Sequence, residues 1–254
     1  MKKILFLALV TAFISSACFS TTNYHTAETL DKGVGEVGFG WGATQLQSVS
    51  ATNAEGEKDE ADLSGVPSVP NIVPDILIRY GVADDVELGI KLFTVGLSLD
   101  VKYRFLETDG LSLAVAPTLQ HSRPFFVLEE NTGALPLMAS FRLNESFSVY
   151  GAAKIFVSQW SLPASGDAAD EANNALADLQ TGGFGGTLGF TIDFESFWIR
   201  PEFNFVKYTL GLSDAAEEVA FDYSSGGVAF GFNFGKAEKK VKELEDRMDK
   251  IEGK

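Results

Sequence analysis

The chain has 254 residues, 20 Lys and Arg against 35 Asp and Glu, and a formal net charge of −15. That balance argues against a nucleic-acid partner, because phosphate binding needs a basic face. One cysteine gives no disulfide framework, and 21 Phe and 25 Gly accompany a charged fraction of 22%. Heavy use of Phe suits lipid-facing strands, and Gly lets crowded walls approach and bend.

Lys2 and Lys3 form a basic n-region, and Ile4 to Ile14 is a short apolar run. That run is too short to span a membrane as a helix and has the length of a signal h-region, so residues 1–17 are read as a signal peptide. Ser15, Ser16 and Ala17 then lead to Cys18. A small-residue stretch ending in Cys resembles a bacterial lipobox, in which the Cys becomes the lipidated first residue, here a candidate for palmitate. The match is imperfect, since Ser15 stands where that pattern has Leu. Cleavage after Ser-Ser-Ala by ordinary signal peptidase satisfies the small-x-small rule equally. Residues 18–33, polar and without a sustained period, are read as a lipidated tether.

From residue 34 the pattern has a period of two, the mark of a β-strand. Strand one, Gly35 to Thr44, sends Val37, Phe39, Trp41 and Ala43 outward and Glu36, Gly38, Gly40 and Gly42 inward. A long acidic loop to Pro70 follows. Strand two puts Ile72, Ile76, Ile78 and Tyr80 outward, Asp75 and Arg79 inward; strand three has Glu87 and Lys91 inward. Strand four is the clearest: Leu97, Leu99, Val101, Tyr103 and Phe105 point one way, Ser98, Asp100, Lys102 and Arg104 the other. Strand five spans Leu111 to Leu119, and strand six carries Arg142 inward. Strand seven runs from Phe147 to Trp160 with Lys154 inward, and residues 170–179 are a candidate short external helix. Strand eight has Phe184, Leu188, Phe190 and Ile192 outward; its end brings in Asp193. Strand nine has Trp198, Arg200, Glu202 and Asn204 inward, and strand ten puts Val228, Phe230, Phe232 and Phe234 outward.

The connections alternate as well. Those near 81–85, 107–110, 144–145 and 195–196 are short, whereas four of the five others are long and polar. Short periplasmic turns and long outer loops are the asymmetry of an outer-membrane barrel, and they put both chain ends on the periplasmic side. The expected fold is therefore all-β, a closed antiparallel transmembrane barrel of ten strands over residues 34–235. Residues 236–254 read as a C-terminal periplasmic helix, with Val241, Leu244, Met248 and Ile251 as a narrow seam and Glu238–Lys242, Glu243–Arg247 and Asp246–Lys250 as ion pairs. Its seam calls for the barrel rim, a second copy or a periplasmic partner.

Over Gly35 to Phe234 the chain resembles the superfamily of Gram-negative outer-membrane β-barrel proteins, in a lipoprotein variant. The last strand, Gly227-Val-Ala-Phe-Gly-Phe-Asn-Phe234, is similar to the C-terminal signal by which barrel assembly machinery recognises its clients, carried here by Phe230, Phe232 and Phe234. The chain continues past Phe234, which departs from that form. The resemblance implies a bacterial outer-membrane location, outer-membrane lipid and the assembly machinery as partners, and a porin-like shape. It implies no activity.

The inward charges are Arg79, Lys91, Lys102, Arg104, Arg142, Lys154 and Arg200 against Glu36, Asp75, Glu87, Asp100, Asp193 and Glu202, seven positive and six negative. Buried charges must be paired, and a ten-stranded barrel has little room beyond its own side chains. A salt-bridged interior that plugs the lumen is the economical expectation, for a non-enzymatic envelope or surface protein. A narrow channel or transporter for small polar solutes is the alternative. A remoter one is an omptin-like surface protease, for which the ten-strand count and His121 near Glu129 and Glu130 are the hints. Gly33-Val-Gly-Glu-Val-Gly38 matches GxGxxG but precedes a strand, so the phosphate-cradling geometry is missing. No cofactor and no metal are called for.

Overall fold

The computed structural model describes residues 22–52, 56–71, 73–123, 129–161, 179–194, 196–212, 217–235 and Met248. The strands are β1 (Gly35–Thr52), β2 (Lys58–Asp62), β3 (Val69–Pro70), β4 (Asp75–Ala83), β5 (Val86–Phe93), β6 (Gly96–Glu107), β7 (Leu111–Val115), β8 (Thr118–Ser122), β9 (Glu129–Asn144), β10 (Phe147–Ser161), β11 (Leu179–Phe194), β12 (Phe197–Leu212) and β13 (Glu217–Phe234). All belong to one antiparallel sheet that closes on itself. β13 pairs with β1 from Phe234–Gly35 to Glu218–Thr52, so no edge is left at the seam. β7 and β8 share the same two neighbours, β6 and β9, and make one broken stave. With β2 and β3 off the circuit, the barrel has ten staves.

The period of two separates the environments. On β6, Leu99, Val101 and Tyr103 are 48%, 47% and 50% exposed, whereas Asp100 and Lys102 between them are 5% and 2%. The same inversion runs round the barrel, with Ile155, Phe184, Leu188 and Phe203 exposed and Glu36, Arg79, Glu87 and Glu202 buried. A continuous apolar exterior over a charged interior is the reverse of a water-soluble domain, and it fits a wall that faces lipid. Phe232 and Phe234 lie on that exterior, and Phe230 stacks on Trp41 at 5.7 Å.

Three expectations are corrected. β1 does not end at Thr44 but continues to Thr52, past a bulge between Leu46 and Ser48 that shifts the phase and hides the alternation. Because β4 starts only at Asp75, the upper edge of β1 would be bare; β2 and β3, from the acidic loop, cover it at Ser48–Thr52 and Ala43–Thr44. The fifth stave breaks at Ala116–Pro117, since proline has no N–H for the ladder. The break is mild: Ala116 N–H still reaches Pro136 O at 3.1 Å, and Pro117 O still accepts from Val101 N–H at 3.2 Å. The third correction concerns the tether and belongs to the lumen. The signal peptide, Cys18, Ile72, most of the 161–181 loop and the expected helix over 236–254, Met248 aside, lie outside the described residues.

Candidate functional site in the barrel lumen

The segment expected to hang free as a tether instead enters the barrel. From Thr22 the chain runs inside the lumen to a turn at Asp31–Val34, with Gly33 at φ 83° and Val34 N–H on Asp31 O at 3.0 Å. A positive φ at the third residue of such a turn favours glycine. Gly33 and Gly81 then tie the turn to the barrel rim, Gly33 N–H on Gly81 O at 2.8 Å and Gly81 N–H on Val34 O at 2.9 Å. A Cβ on Gly81 would collide with the carbonyls of Leu30 and Asp31. Thr22, Tyr24, Thr26 and Ala27 are buried.

This strap has no strand partner, so its backbone polar groups need other partners. The wall supplies them from side chains. Glu202 accepts Asn23 N–H and Tyr24 N–H on its two oxygens, each at 2.7 Å. Ser140 Oγ accepts Ala27 N–H at 2.6 Å, and Glu87 accepts Leu30 N–H at 2.9 Å. In the other direction Lys91 donates to Thr22 O at 2.6 Å, and Lys102 to Thr26 O and Glu28 O at 3.2 and 2.6 Å. Tyr24 fills the space that glycines leave: a Cβ on Gly40 or Gly227 would strike its ring or hydroxyl. Its OH donates to Trp41 O at 3.0 Å.

Around the strap the charges pair. Arg79 bridges Glu87 and Asp100, the latter at 3.0 Å, and donates to a His25 ring nitrogen. Lys102 sits 3.0 Å from Glu87, and Lys91 3.9 Å from Asp75. Arg200 grips Glu36 through two bonds of 2.8 Å and lies 4.0 Å over the Trp198 ring. Glu202 also accepts Tyr150 OH at 3.1 Å and Asn204 Nδ2 at 2.9 Å. Lys154 is half-buried and shares a small cavity with Lys91 and Asn23. Asp193 lines a larger recess beside the strap. Two of the thirteen lie at the short-turn mouth rather than inside. Arg104 pairs with Asp85 at 2.9 Å and Glu107 at 2.8 Å, and Arg142, 52% exposed, with Glu28 of the strap at 2.9 Å. Their strands end there, so their side chains reach water.

Farther toward the long loops the interior changes character. Leu46, Val49, Phe156, Val206, Tyr208, Leu210 and Phe221 form an inward apolar layer. Glu130, buried at its edge, accepts Tyr208 OH at 2.6 Å and the hydroxyls of Ser122 and Thr132 at 3.2 Å. His121 takes the other face, with Nδ1 3.0 Å from Asn131 Oδ1. The His121–Glu130 proximity in sequence therefore does not become a hydrogen bond among the described contacts.

Sequence reasoning missed Asn23, Tyr24, His25 and Glu28, because a strap needs no period. The available signal was the run of inward glycines, Gly38, Gly40 and Gly42 on β1 with Gly227 and Gly231 on β13, which leaves volume for something else to fill.

No protein-family model matches this chain, and no curated protein matches it. Among solved structures it is similar to an outer-membrane channel from Pseudomonas putida F1 at 8% identity, covering 84% of this chain and 100% of that one with a TM-score of 0.48. It is similar to the outer membrane protease OmpT of Escherichia coli at 11% identity, covering 82% and 100% with a TM-score of 0.44. It is also similar to the outer membrane protein OprG of Pseudomonas aeruginosa at 14% identity, covering 83% and 99% with a TM-score of 0.36.

Proposed function

We propose that the chain is an outer-membrane β-barrel that serves as a non-enzymatic envelope protein, closed along its axis by its own amino-terminal strap. One observation carries the reading: Glu202, Ser140, Glu87, Lys91 and Lys102 hold the strap backbone inside the lumen. Membrane placement is supported by the apolar exterior, and the short turns are taken as periplasmic. Cys18 is read as the acylation site, with the strap closing the barrel in the chain whose lipid is not seated in the membrane, and the 236–254 segment as a periplasmic helix that meets the rim, another copy or an envelope partner.

The test is conductance of the purified full-length protein carrying Cys18→Ala, which leaves the strap unanchored, in a planar bilayer beside the same protein lacking residues 22–31. The full-length protein is expected to be silent and the deletion to show discrete steps. Steps from the full-length protein at rest would overturn the closed reading. A narrow channel gated by the strap is the second reading, favoured by the fact that wall side chains rather than a ladder hold the strap. Voltage-dependent opening of the full-length protein would select it.

A further inference from the structure

The ladder sets the outward side chains of neighbouring staves side by side in rows. In one row Ile90, Leu99, Leu119, Gly133 and Val157 follow one another in direct register across five staves. In the next row toward the short turns stand Leu88, Val101, Pro117, Leu135 and Ile155. Between the two rows lies an apolar groove of about 720 Å³ on the outer face of the barrel. Gly133 and Pro117 carry no long side chain, and both fall near its middle. Leu119, in register with Gly133, is left standing at 71% exposure, the highest of the large apolar side chains described. The gap at Gly133 is open space: a Cβ there would meet nothing nearer than Val157 Cγ2 at 3.9 Å.

The row on the other side of the groove, toward the long loops, changes character. It runs Leu92, Leu97, His121, Asn131 and Gln159, again in register. Three adjacent staves thus switch from apolar to polar in one step, two residues beyond Leu119, Gly133 and Val157. On a wall that faces lipid, such a step marks the membrane–water interface. The groove therefore lies in the hydrocarbon directly beneath that interface. It crosses four strand spacings, about 19 Å in all. One leaflet's hydrocarbon is about 15 Å deep, so the groove has the reach of a lipid tail.

We infer that this groove holds one acyl chain of an ester-linked phospholipid from the leaflet on the long-loop side, with the lipid's ester and phosphate oxygens at the His121–Asn131–Gln159 row. His121 Nδ1 stands 3.0 Å from Asn131 Oδ1. That contact uses the amide oxygen of Asn131 and leaves the NH2 groups of Asn131 and Gln159 as donors, which ester and phosphate oxygens accept. Arg123 and Glu129, farther toward the long loops, are paired with each other. No hydrophobic gain separates one lipid tail from another inside a bilayer, so residence comes from packing and from hydrogen bonds. The groove supplies the first, and the polar row above it the second. The inference rests on the outward face standing in lipid, and it is independent of whether the lumen conducts.

Native mass spectrometry of the full-length protein in dodecyl maltoside, with dipalmitoyl phosphatidylethanolamine added, tests this. The probe carries no net charge, so bulk electrostatics do not drive its binding. Bound lipid is read as mass lost on collisional activation, which leaves any acyl group on Cys18 in place. One lipid is expected to outlast all others on the parent barrel. Gly133→Leu fills the groove and should lower the affinity for that lipid roughly tenfold. Ala139→Leu adds the same side chain to an exposed position on β9 outside the groove, and should keep the lipid as the parent does. The double variant N131A/Q159A should lose affinity several-fold, and it carries the test if Gly133→Leu fails to assemble. Insertion of the parent into vesicles of the same lipid is measured alongside, so that failure of the groove is separable from failure of the membrane placement. A parent that inserts but keeps no lipid, undiminished retention in Gly133→Leu or in the double variant, or an equal loss in Ala139→Leu each overturns the proposal.

Discussion

Glu202 and Lys102 each make two hydrogen bonds to the strap backbone, Glu202 as acceptor and Lys102 as donor. Glu202 accepts two consecutive backbone N–H groups, a tyrosine hydroxyl and an amide. Hydrogen bonds to a charged group contribute roughly 1.5–3 kcal/mol each in context. Glu202→Gln removes the charge and aims an NH2 at donors. Docking should weaken by about 2–3 kcal/mol, a shift of roughly 30–150-fold in the ratio of docked to free strap. A thiol placed by Asn23→Cys reports it, through faster maleimide labelling in the Gln background. Unchanged labelling would remove Glu202 from the argument. Lys102 acts in the complementary sense. Lys102→Met removes the ammonium donor from Thr26 O and Glu28 O and leaves Glu87 with Arg79 as its one cationic partner, so it should loosen the same segment while the staves remain paired.

At the scale of elements, the break in the fifth stave has one cause and therefore one remedy. Pro117 O accepts from Val101 N–H, so an N–H at position 117 would point at the same neighbour, β6. Pro117→Ala should add that ladder bond, join β7 to β8, and stabilise the barrel by about 1 kcal/mol. Slow amide exchange at residue 117 is the check; fast exchange there would mean that the bend is imposed by β9 instead. The outward face of β6 makes a second element-scale prediction. Spin labels at 99, 101 and 103 should be relaxed by oxygen and protected from a water-soluble reagent, because these positions stand in lipid. The opposite pattern would invert the barrel's faces.

At the scale of the whole molecule, strap and anchor compete. Thr22 Oγ1 bonds Asp75 Oδ2, and Asp75 pairs with Gly40, five residues along β1 from Gly35 at the rim. That climb is about 17 Å along the wall. Four residues, the separation of Thr22 from Cys18, span at most about 14 Å. A lipid on Cys18 seated in the periplasmic leaflet should therefore draw the strap out. Labelling of Asn23→Cys is expected to be faster in acylated protein than in a Cys18→Ala background. Equal rates would show that anchoring and docking coexist.

The alternation on β6 by itself determined which residues face lipid and which face one another, because side chains on a strand have only two directions to take. The ten period-two segments determined the number of staves in the same local way. That the amino-terminal strap fills the space between those inward side chains was decided by tertiary structure alone. Tyr24 has no pattern around it and becomes a core residue only when Gly40 and Gly227, far apart in the chain, meet across the β1–β13 seam. The mouth positions of Arg104 and Arg142 likewise depend on where their strands end. Periodicity reports the direction of a side chain from its own backbone, whereas the partner it meets across a lumen is set by closure of the whole sheet.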